Sequence, residues 1–561
     1  MYSNLELITM LLIVILLTKP IGTYMYKIFE YKEMKFERVF SPVENFIYKV
    51  AGIDAKENMN WKKYALSFML VNILMIILGY ILLRLQGFLP LNPTNAKGME
   101  SSLAFNTAIS FMTNTNLQHY SGEDGITFLS QLIVIVFLMF TSAASGIVTA
   151  AAIMRGLSKK TEGLGNFYAD FVRVTIRLLL PLSAIVTLIL VWQGVPQNFA
   201  GKVVVDTIQG GKQTFITGPV AIFEPIKHIG TNGGGFFGAN SAHPFENPTW
   251  FTNMIEMLSM MIIPASLIYT YGLMINNKKH SWLIYISLAV IFVFLAVGAV
   301  YAESHPGPVY ANFNIDGKPY GNYEGKEMRF GDSQSPLFAT VTTAFTTGSI
   351  DSMHDSYTPL GGAVPLVLMM LNTIFGGDGA GMQNIIMYAI LTVFITGLMV
   401  GRTPEYLGRK IETREMKLIA IAILVHPLLI LFASALTLSL KVGFSSVTNP
   451  LYHGLTQVLY EFSSSAANNG SEFAGLIGNT TFMNITTGLV MFFGRYITII
   501  LMLAVAGSMA EKIPASPSPG TFRTDNSLFA IIFIAIILIV GALTFFPAVI
   551  LGPISEFLSI R

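Results

Sequence analysis

The chain has 561 residues, of which 53% are hydrophobic and only 12% charged, with a mean hydropathy of +0.59. A charged fraction so far below the roughly 25% of soluble domains excludes an ordinary water-soluble globule and predicts a polytopic membrane protein. The formal charge of +2 excludes nothing, whereas the complete lack of cysteine excludes disulfides, thiolate metal sites and cysteine nucleophiles.

Runs of about 20 apolar residues with few charges predict ten membrane spans. They lie near 3–24, 62–86, 126–154, 173–193, 253–276, 281–302, 360–400, 418–440, 482–510 and 526–550. The first is the weakest, because Lys19 and Pro20 interrupt it. With no basic stretch before Leu5 and no small-residue cleavage site after it, it reads as a retained anchoring helix rather than a leader peptide. The seventh run is roughly twice the length that one crossing needs and contains Gly376, Gly377, Asp378, Gly379, Ala380 and Gly381. Glycine weakens a helix by up to about 1 kcal/mol per residue, so this helix is expected to break, as a packing kink or as an intramembrane loop.

Basic residues set the expected orientation. Lys27, Lys32, Lys35, Arg38, Lys49, Lys56, Lys62 and Lys63 follow the first span. Arg155, Lys159 and Lys160, then Lys278 and Lys279, then Arg402, Arg409, Lys410, Arg414 and Lys417 occupy later connections. These segments should face the cytoplasm. The intervening connections, poor in basic residues, should open outward, and both termini should be external.

Four short polar stretches interrupt those outward connections. They are Thr113, Asn114, Thr115 and Asn116; Thr231, Asn232 and Gly233, continuing to Gly235; Thr346, Thr347 and Gly348, continuing to Ser349; and Asn468, Asn469 and Gly470, continuing to Ser471. From Asn114 through Gly233 and Gly348 to Gly470 the steps are 119, 115 and 122 residues. Apolar segments near 101–112, 219–229, 337–345 and 451–462 precede them, too short to span but long enough for re-entrant half-helices. The C-terminal end of such a helix carries partial negative charge, so four ends aimed at one point favour a cation. Glycine supplies backbone angles that residues with side chains adopt poorly. The first stretch has no glycine and relies on asparagine, which tolerates positive φ better than most residues, so the site should be asymmetric.

The predicted fold is therefore an all-α polytopic membrane protein with ten transmembrane helices. Four pseudo-repeats of helix, pore loop and helix surround a central pore, with one extra helix at each end. The expected divisions are 1–61, 62–160, 161–280, 281–417 with the broken helix, 418–515 and 516–561. Four sets of backbone carbonyls around one axis is the arrangement that replaces the water shell of a potassium ion, which makes the named Thr, Asn and Gly residues candidate ligands.

Four further features complete the reading. Gln118 either shapes the mouth of the filter or hydrogen-bonds a neighbouring loop. Arg495 lies inside the ninth span, where an ionisable group is expensive and faces the interior, as an ion pair or as a cationic barrier beneath the filter. Glu123, Asp124, Asp351, Asp355 and Glu472 flank the loops, either focusing cations or as solvated charges. The eight histidines show no HExxH or other tight ligand spacing, which argues against a metalloenzyme.

Longer motifs surround the loops. They are Thr113 to Gln118 with Tyr120 to Glu123, Ser142 to Gly146, Asn232 to Phe237, Asn240 to Thr249, Met353 to Ser356, Gly401 to Gly408, and Ala467 to Ser471. In these motifs and over essentially its whole length the chain resembles the A subunits of the Kdp-type potassium-transporting ATPase, within the superfamily of potassium transporters. Leu117 and Thr347 sit where some members carry Trp and Cys, which leaves the backbone argument unchanged. The resemblance implies a protein that binds and selects external potassium and has no catalytic centre or organic cofactor of its own. It implies three partners in the Kdp complex: a P-type ATPase that binds ATP (the B subunit), a periplasm-facing C subunit and a small single-span F subunit. It further implies a lipid-embedded place in the bacterial plasma (inner) membrane, no nucleic-acid partner, and a path from filter to cavity to a sideways tunnel into the P-type ATPase. Gly376, Gly377, Asp378 and Gly379 would restrict flow below the filter.

The sequence itself lacks an Asp-Lys-Thr-Gly phosphorylation motif, a Walker A motif and a large soluble domain. A stand-alone gradient-driven potassium transporter is the alternative, against which the long Asn240 to Thr249 match argues. An embedded enzyme or organic-solute carrier would need a catalytic constellation or inverted repeats, and the sequence has neither.

Overall fold

The computed structural model describes residues 2–34, 37–158, 163–305, 314–315, 318–319, 321–401, 403–514 and 522–560. Of the basic residues used for orientation, Lys35, Lys159, Lys160 and Arg402 lie outside this set.

Among the described residues ten helices are long and apolar enough to cross a membrane, and each coincides with one expected span. Their starts follow from local capping chemistry. Asn60 accepts from the Lys63 amide, and Glu100 accepts from the Ser102 and Leu103 amides. Thr249 and Thr252 cap each other reciprocally, and Asn526 accepts from Phe529.

In chain order the principal helices are α1 (Tyr2–Phe29), α2 (Glu37–Ala51), α3 (Trp61–Leu85), α4 (Ser101–Met112) and α5 (Phe137–Ser158). Then come α6 (Phe167–Val174) and α7 (Leu180–Trp192), which join into one span, and α8 (Val220–Ile229), α9 (Trp250–Met274) and α10 (Lys278–Ser304). The last seven are α11 (Gly331–Ala344), α12 (Pro359–Leu371), α13 (Ala380–Met399), α14 (Thr413–Ser439), α15 (Leu451–Ala467), α16 (Thr481–Glu511) and α17 (Ser527–Val549).

Burial sorts the spans into two shells. The spans that follow each polar loop are 78, 83, 72 and 56% buried (Phe128–Ser158, Trp250–Met274, Ala380–Met399 and Thr481–Glu511). Those that precede the loops are 28, 39, 44 and 33% buried (Trp61–Phe88, Phe167–Trp192, Lys278–Ser304 and Thr413–Ser439). The outer helices carry apolar residues on the surface, as a lipid solvent requires, and the inner helices pack the core.

The seventh run breaks as expected. α12 ends at Asn372, in the left-handed region at φ +44°, and α13 begins only after Gly379 at φ +82°. The re-entrant helices α11 and α15 are longer than the sequence suggested, because Gly331 to Ser335 and Ser463 to Ala467 continue the helical turns. One local departure from an all-helical reading is an antiparallel hairpin, β1 (Gln197–Asp206) with β2 (Lys212–Pro219), pairing Val203 with Phe215. Its second strand runs directly into α8.

α2 shows how the periphery is held. Its acidic face turns inward onto Arg177, whose side chain is fully buried. Arg177 Nη2 donates to Glu44 Oε2 at 2.6 Å and to Glu37 Oε1 at 2.8 Å, and Nη1 donates to Glu37 Oε2 at 2.7 Å. The hydrogen bonds from Arg177 hold the Glu37 carboxyl down at about 2.

Breaking a buried pair by removing one partner costs about 3–5 kcal/mol. Arg177→Met is therefore expected to lower the thermal midpoint of the detergent-purified protein by several degrees, with much of the loss recovered when Glu44→Leu is added. The pH dependence has a definite sign. A depressed carboxyl contributes stability above its unfolded value of about 4.3, and that contribution disappears as pH falls toward about 2. The difference in midpoint between wild type and Glu37→Gln should shrink across that window; a gap that widens on acidification would refute the pairing.

Candidate ion-selectivity site

The four re-entrant helices α4, α8, α11 and α15 end at the four polar loops, and each loop folds back on its helix in the same way. The amides of Thr115, Asn232, Thr347 and Asn469 donate to the carbonyls of Ser110, Lys227, Thr342 and Ser464 at 2.9, 2.8, 2.7 and 2.9 Å. Two residues in every loop then adopt left-handed backbone. The first set is Asn114, Thr231, Thr346 and Asn468, with φ of +62°, +44°, +49° and +56°. The second is Asn116, Gly233, Gly348 and Gly470, with φ of +56°, +88°, +89° and +105°. Asn116, rather than Asn114, thus occupies the glycine position of the first loop, which corrects the register in the spacing count.

The loops close on one another in a ring. A Cβ added to Gly233 would lie 2.3 Å from the Thr347 carbonyl oxygen, one on Gly348 2.0 Å from that of Asn469, and one on Gly470 1.8 Å from that of Thr115. The fourth contact belongs to Asn116, whose Nδ2 donates to the Gly233 carbonyl at 3.2 Å. Three junctions thus exist only because a glycine lacks a side chain, and the fourth uses an asparagine side chain.

Inside this ring the backbone has unusual chemistry. Thr115, Asn232, Thr347 and Asn469 are fully buried, yet among the described residues no donor reaches their carbonyl oxygens. A buried carbonyl without a partner is rare and costs about 1–3 kcal/mol. Buried, unpaired oxygens of this kind suit a cation that has given up its water.

Side chains outside the ring hold it open. Asn114 Nδ2 donates to the Thr231 carbonyl at 2.8 Å, and Asn232 Nδ2 to that of Met139 at 3.0 Å. Asn469 Nδ2 donates to the Thr342 carbonyl at 2.9 Å, and Asn468 Nδ2 to that of Met491 at 3.1 Å. Sequence reasoning missed Thr342 and Ser464, whose hydroxyls accept from the Gly348 and Gly470 amides at 3.0 and 2.9 Å. The signal was present, since each hydroxyl sits six residues before its glycine. Gln118 hydrogen-bonds the neighbouring second loop, with both ends of its amide on Gly235, at 3.0 Å to the carbonyl and 2.8 Å from the amide.

The glycine-rich break lies directly below. The Asp378 amide donates to Thr231 Oγ1 at 2.8 Å, and Gly377 packs against the Thr346 carbonyl. Gly379 and Asp378 pack on Gly146 of α5 so closely that a Cβ on Gly379 would meet the Gly146 carbonyl oxygen at 1.9 Å. Arg495, 4% exposed, donates to the Ser142 carbonyl at 3.3 Å and lines a cavity of about 50 Å³ with Asn468, Asn372, Gln383 and His426. At about 10–15 Å³ per water, that space holds a few waters or a partly hydrated ion. Among the described residues no carboxylate lies within 4.0 Å of Arg495; the acidic group coupled to it electrostatically is Asp378, whose buried carboxylate accepts no hydrogen bond from a described residue.

The acidic residues beside the loops differ from a set of solvated charges. Asp351 is fully buried, and burial pushes its carboxyl up to about 7. Asp355 pairs with His453 at 3.0 Å and accepts from Gln457. Glu123 accepts from the Gly238 amide at 2.7 Å, and Glu472 accepts from the Gln118 amide at 3.3 Å. Asp124 is the exposed one of the five.

Comparison with known proteins follows the same outline. The family model described as Potassium-transporting ATPase A subunit matches residues 8–558. The chain is 82% identical, over 559 residues and the full length of both chains, to the potassium-transporting ATPase potassium-binding subunit of Caldanaerobacter subterraneus subsp. tengcongensis. It is 54% identical to the protein of that description from Geobacillus kaustophilus, over all of this chain and 99% of the other. Among solved structures the potassium transporter TrkH from Vibrio parahaemolyticus shares the fold, with a TM-score of 0.53 at 15% identity over 90% of this chain and 98% of that one.

The ring makes a prediction about stability alone. Gly348→Ala and Gly470→Ala combine left-handed strain with a backbone clash and should each cost at least about 2 kcal/mol. Gly210→Ala has the same kind of φ, +80°, but open space around it, and should cost about 1 kcal/mol. Thermal midpoints read the difference; equal losses at all three positions would remove the close approach.

Proposed function

We propose a function from the premise that this chain belongs to the family of the potassium-transporting ATPase A subunit: it is the potassium-binding component of an ATP-driven uptake pump. Supporting this most directly is the ring of buried carbonyls that accept no hydrogen bond from a described residue. Thr113, Asn114, Thr115 and Asn116 from the first loop would supply ligands with Thr231, Asn232 and Gly233, with Thr346, Thr347 and Gly348, and with Asn468, Asn469 and Gly470. A potassium ion exchanges its water for these oxygens, and the negative ends of α4, α8, α11 and α15 favour its charge.

The ion enters from outside: the basic connections support a cytoplasmic face opposite the loops, with the loops and both termini external. The membrane is the bacterial plasma membrane. Below the ring, residues 376–379 restrict the path and Arg495 raises the energy of a cation in the cavity. The cavity wall formed by Met370, Leu371, Gly541 and Phe545 also borders an apolar pocket between α12 and α17, which supports a lateral exit. Energy comes from a partner, the P-type ATPase or B subunit, assembled with the C and F subunits. The chain itself hydrolyses nothing.

The deciding experiment is potassium-stimulated ATP hydrolysis by the complex isolated through a tag on this chain, with wild type and Gly233→Asp side by side. Wild-type hydrolysis that needs potassium, with apparent affinity weakened at least about tenfold in the variant, is expected. Without an accompanying ATPase the gradient-driven alternative would hold instead. In proteoliposomes Arg495→Met should raise passive rubidium leak by about tenfold, the equivalent of roughly 1.4 kcal/mol of lost barrier; unchanged leak would take Arg495 out of the barrier.

A further inference from the structure

Behind the second and third loops, away from the carbonyl ring, lies a second concentration of charge. Glu224, Lys227 and His228 project from α8, Glu256 from α9, and Glu246 from the connection between them. The side chains of all five are fully buried. Lys227 Nζ contacts Glu246 Oε2 at 2.7 Å, Ser241 Oγ at 2.9 Å and Glu224 Oε2 at 3.1 Å. Glu246 is completed by the Phe237 amide, which donates to its Oε1 at 2.7 Å.

With Lys227 and Glu246 balanced, two negative charges are left over in a dry interior, on Glu224 and Glu256. Their oxygens are poorly served. Glu224 Oε1 and both Glu256 carboxylate oxygens are buried and accept no hydrogen bond from a described residue. Uncompensated buried carboxylates are too costly to persist, so a cation or protons must balance them.

His228 decides what kind of cation fits. Its Nδ1 lies 2.9 Å from the Glu224 backbone carbonyl, which can only accept, so Nδ1 carries the hydrogen. In the neutral ring Nε2 then presents a lone pair, and it points at Glu256 Oε2 at 3.3 Å and at Ser349 Oγ at 2.9 Å. A lone pair facing a carboxylate oxygen at that distance is repulsive until a cation or a proton sits between them. The imidazole whose other nitrogen donates to a backbone carbonyl is also the usual arrangement of a metal-bound histidine. The candidate ligand atoms of Glu224, His228 and Glu256 all lie within 4.8 Å of one another.

We infer that Glu224, His228 and Glu256, with Ser349 Oγ as a fourth ligand, form a buried site for one divalent transition-metal ion, of which zinc is the test species. One divalent ion cancels the two residual charges, and the set of one imidazole and oxygen ligands suits zinc or manganese better than the all-oxygen preference of magnesium or calcium. Ser349 directly follows Gly348, so the ion would tie α8, α9 and the third loop together from behind the ring. The other grouping of this kind, His119 with Glu461 and Glu472, differs in its carboxylates: none of their oxygens is among the buried ones without a partner, and Glu472 accepts from the Gln118 amide at 3.3 Å.

The test is metal content. The chain is isolated with its native partners through a tag free of histidine, from cells grown with zinc and manganese, and analysed by plasma mass spectrometry. About one equivalent of one of these metals per chain is expected, falling at least about fivefold in Glu256→Gln and in His228→Gln and unchanged in His119→Gln. X-ray absorption at the edge of the bound metal in the wild-type complex should show a mixed nitrogen and oxygen shell with one histidine. That spectrum and the wild-type content decide the matter even where a variant fails to fold. Wild-type content below about a tenth of an equivalent overturns the site and assigns the missing charge to shared protons, as does metal that survives both substitutions.

Discussion

The fold is arranged around backbone carbonyls that it buries and that no described residue supplies with a donor. Membrane helices satisfy their own hydrogen bonds, which is why spanning segments are helices at all. The loops at residues 113–116, 231–233, 346–348 and 468–470 break that rule at the centre of the fold. Each unpaired carbonyl costs about 1–3 kcal/mol, so the ring is not stable by itself. The surrounding scaffold fixes it. The repeated turn onto Ser110, Lys227, Thr342 and Ser464 positions each loop, and the amides of Asn114, Asn232, Asn468 and Asn469 stop the carbonyls from finding closer partners.

The ring is not fourfold in its chemistry. Glycine makes three junctions and Asn116 makes the fourth, with its amide on the Gly233 carbonyl. Hydroxyls of Thr342 and Ser464 brace the third and fourth loops, while Gln118 ties the first loop to the second. A donor on one carbonyl lowers its capacity to face an ion, so on the proposed reading the quadrant shared by the first two loops would bind a cation less strongly than the opposite one. A homotetramer cannot make that distinction. A single chain with four different loops can.

Much of this was legible in the sequence, for physical reasons. A lipid solvent imposes long apolar runs, and so the ten spans and the break near Gly376 could be read directly. Even spacing gave the loops. The register of the first loop did not follow, because without glycine only the folded backbone reveals that Asn116 has the second left-handed φ. Asp351 and Asp355 read as solvated because a loop charge normally is; their burial comes from packing, and Asp355 meets His453 and Gln457 only once the chain folds. The Glu224 and His228 pair lies one helical turn apart, but its third member, Glu256, is on the next helix, where a search for HExxH does not look.

On the reading proposed for this chain, the region beneath the ring has to do what a channel avoids, which is to stop ions from running downhill. A cation about 8 Å from the Arg495 guanidinium is raised by about 2 kcal/mol at an effective dielectric of 20, roughly a thirtyfold reduction. Diffusional arrival of about 10⁸ M⁻¹s⁻¹ at a millimolar ion supplies about 10⁵ ions per second, against a typical enzyme turnover of about 10 per second. Electrostatic repulsion alone would therefore leave leak about 300 times faster than pumping. The remaining factor, roughly 3.4 kcal/mol, falls to the glycine-rich break, held against Thr231, Thr346 and Gly146 with no room for a side chain at Gly379. The charge discourages the ion and the backbone plug does most of the stopping, which explains why this stretch is glycine packed on glycine rather than a ring of further basic residues.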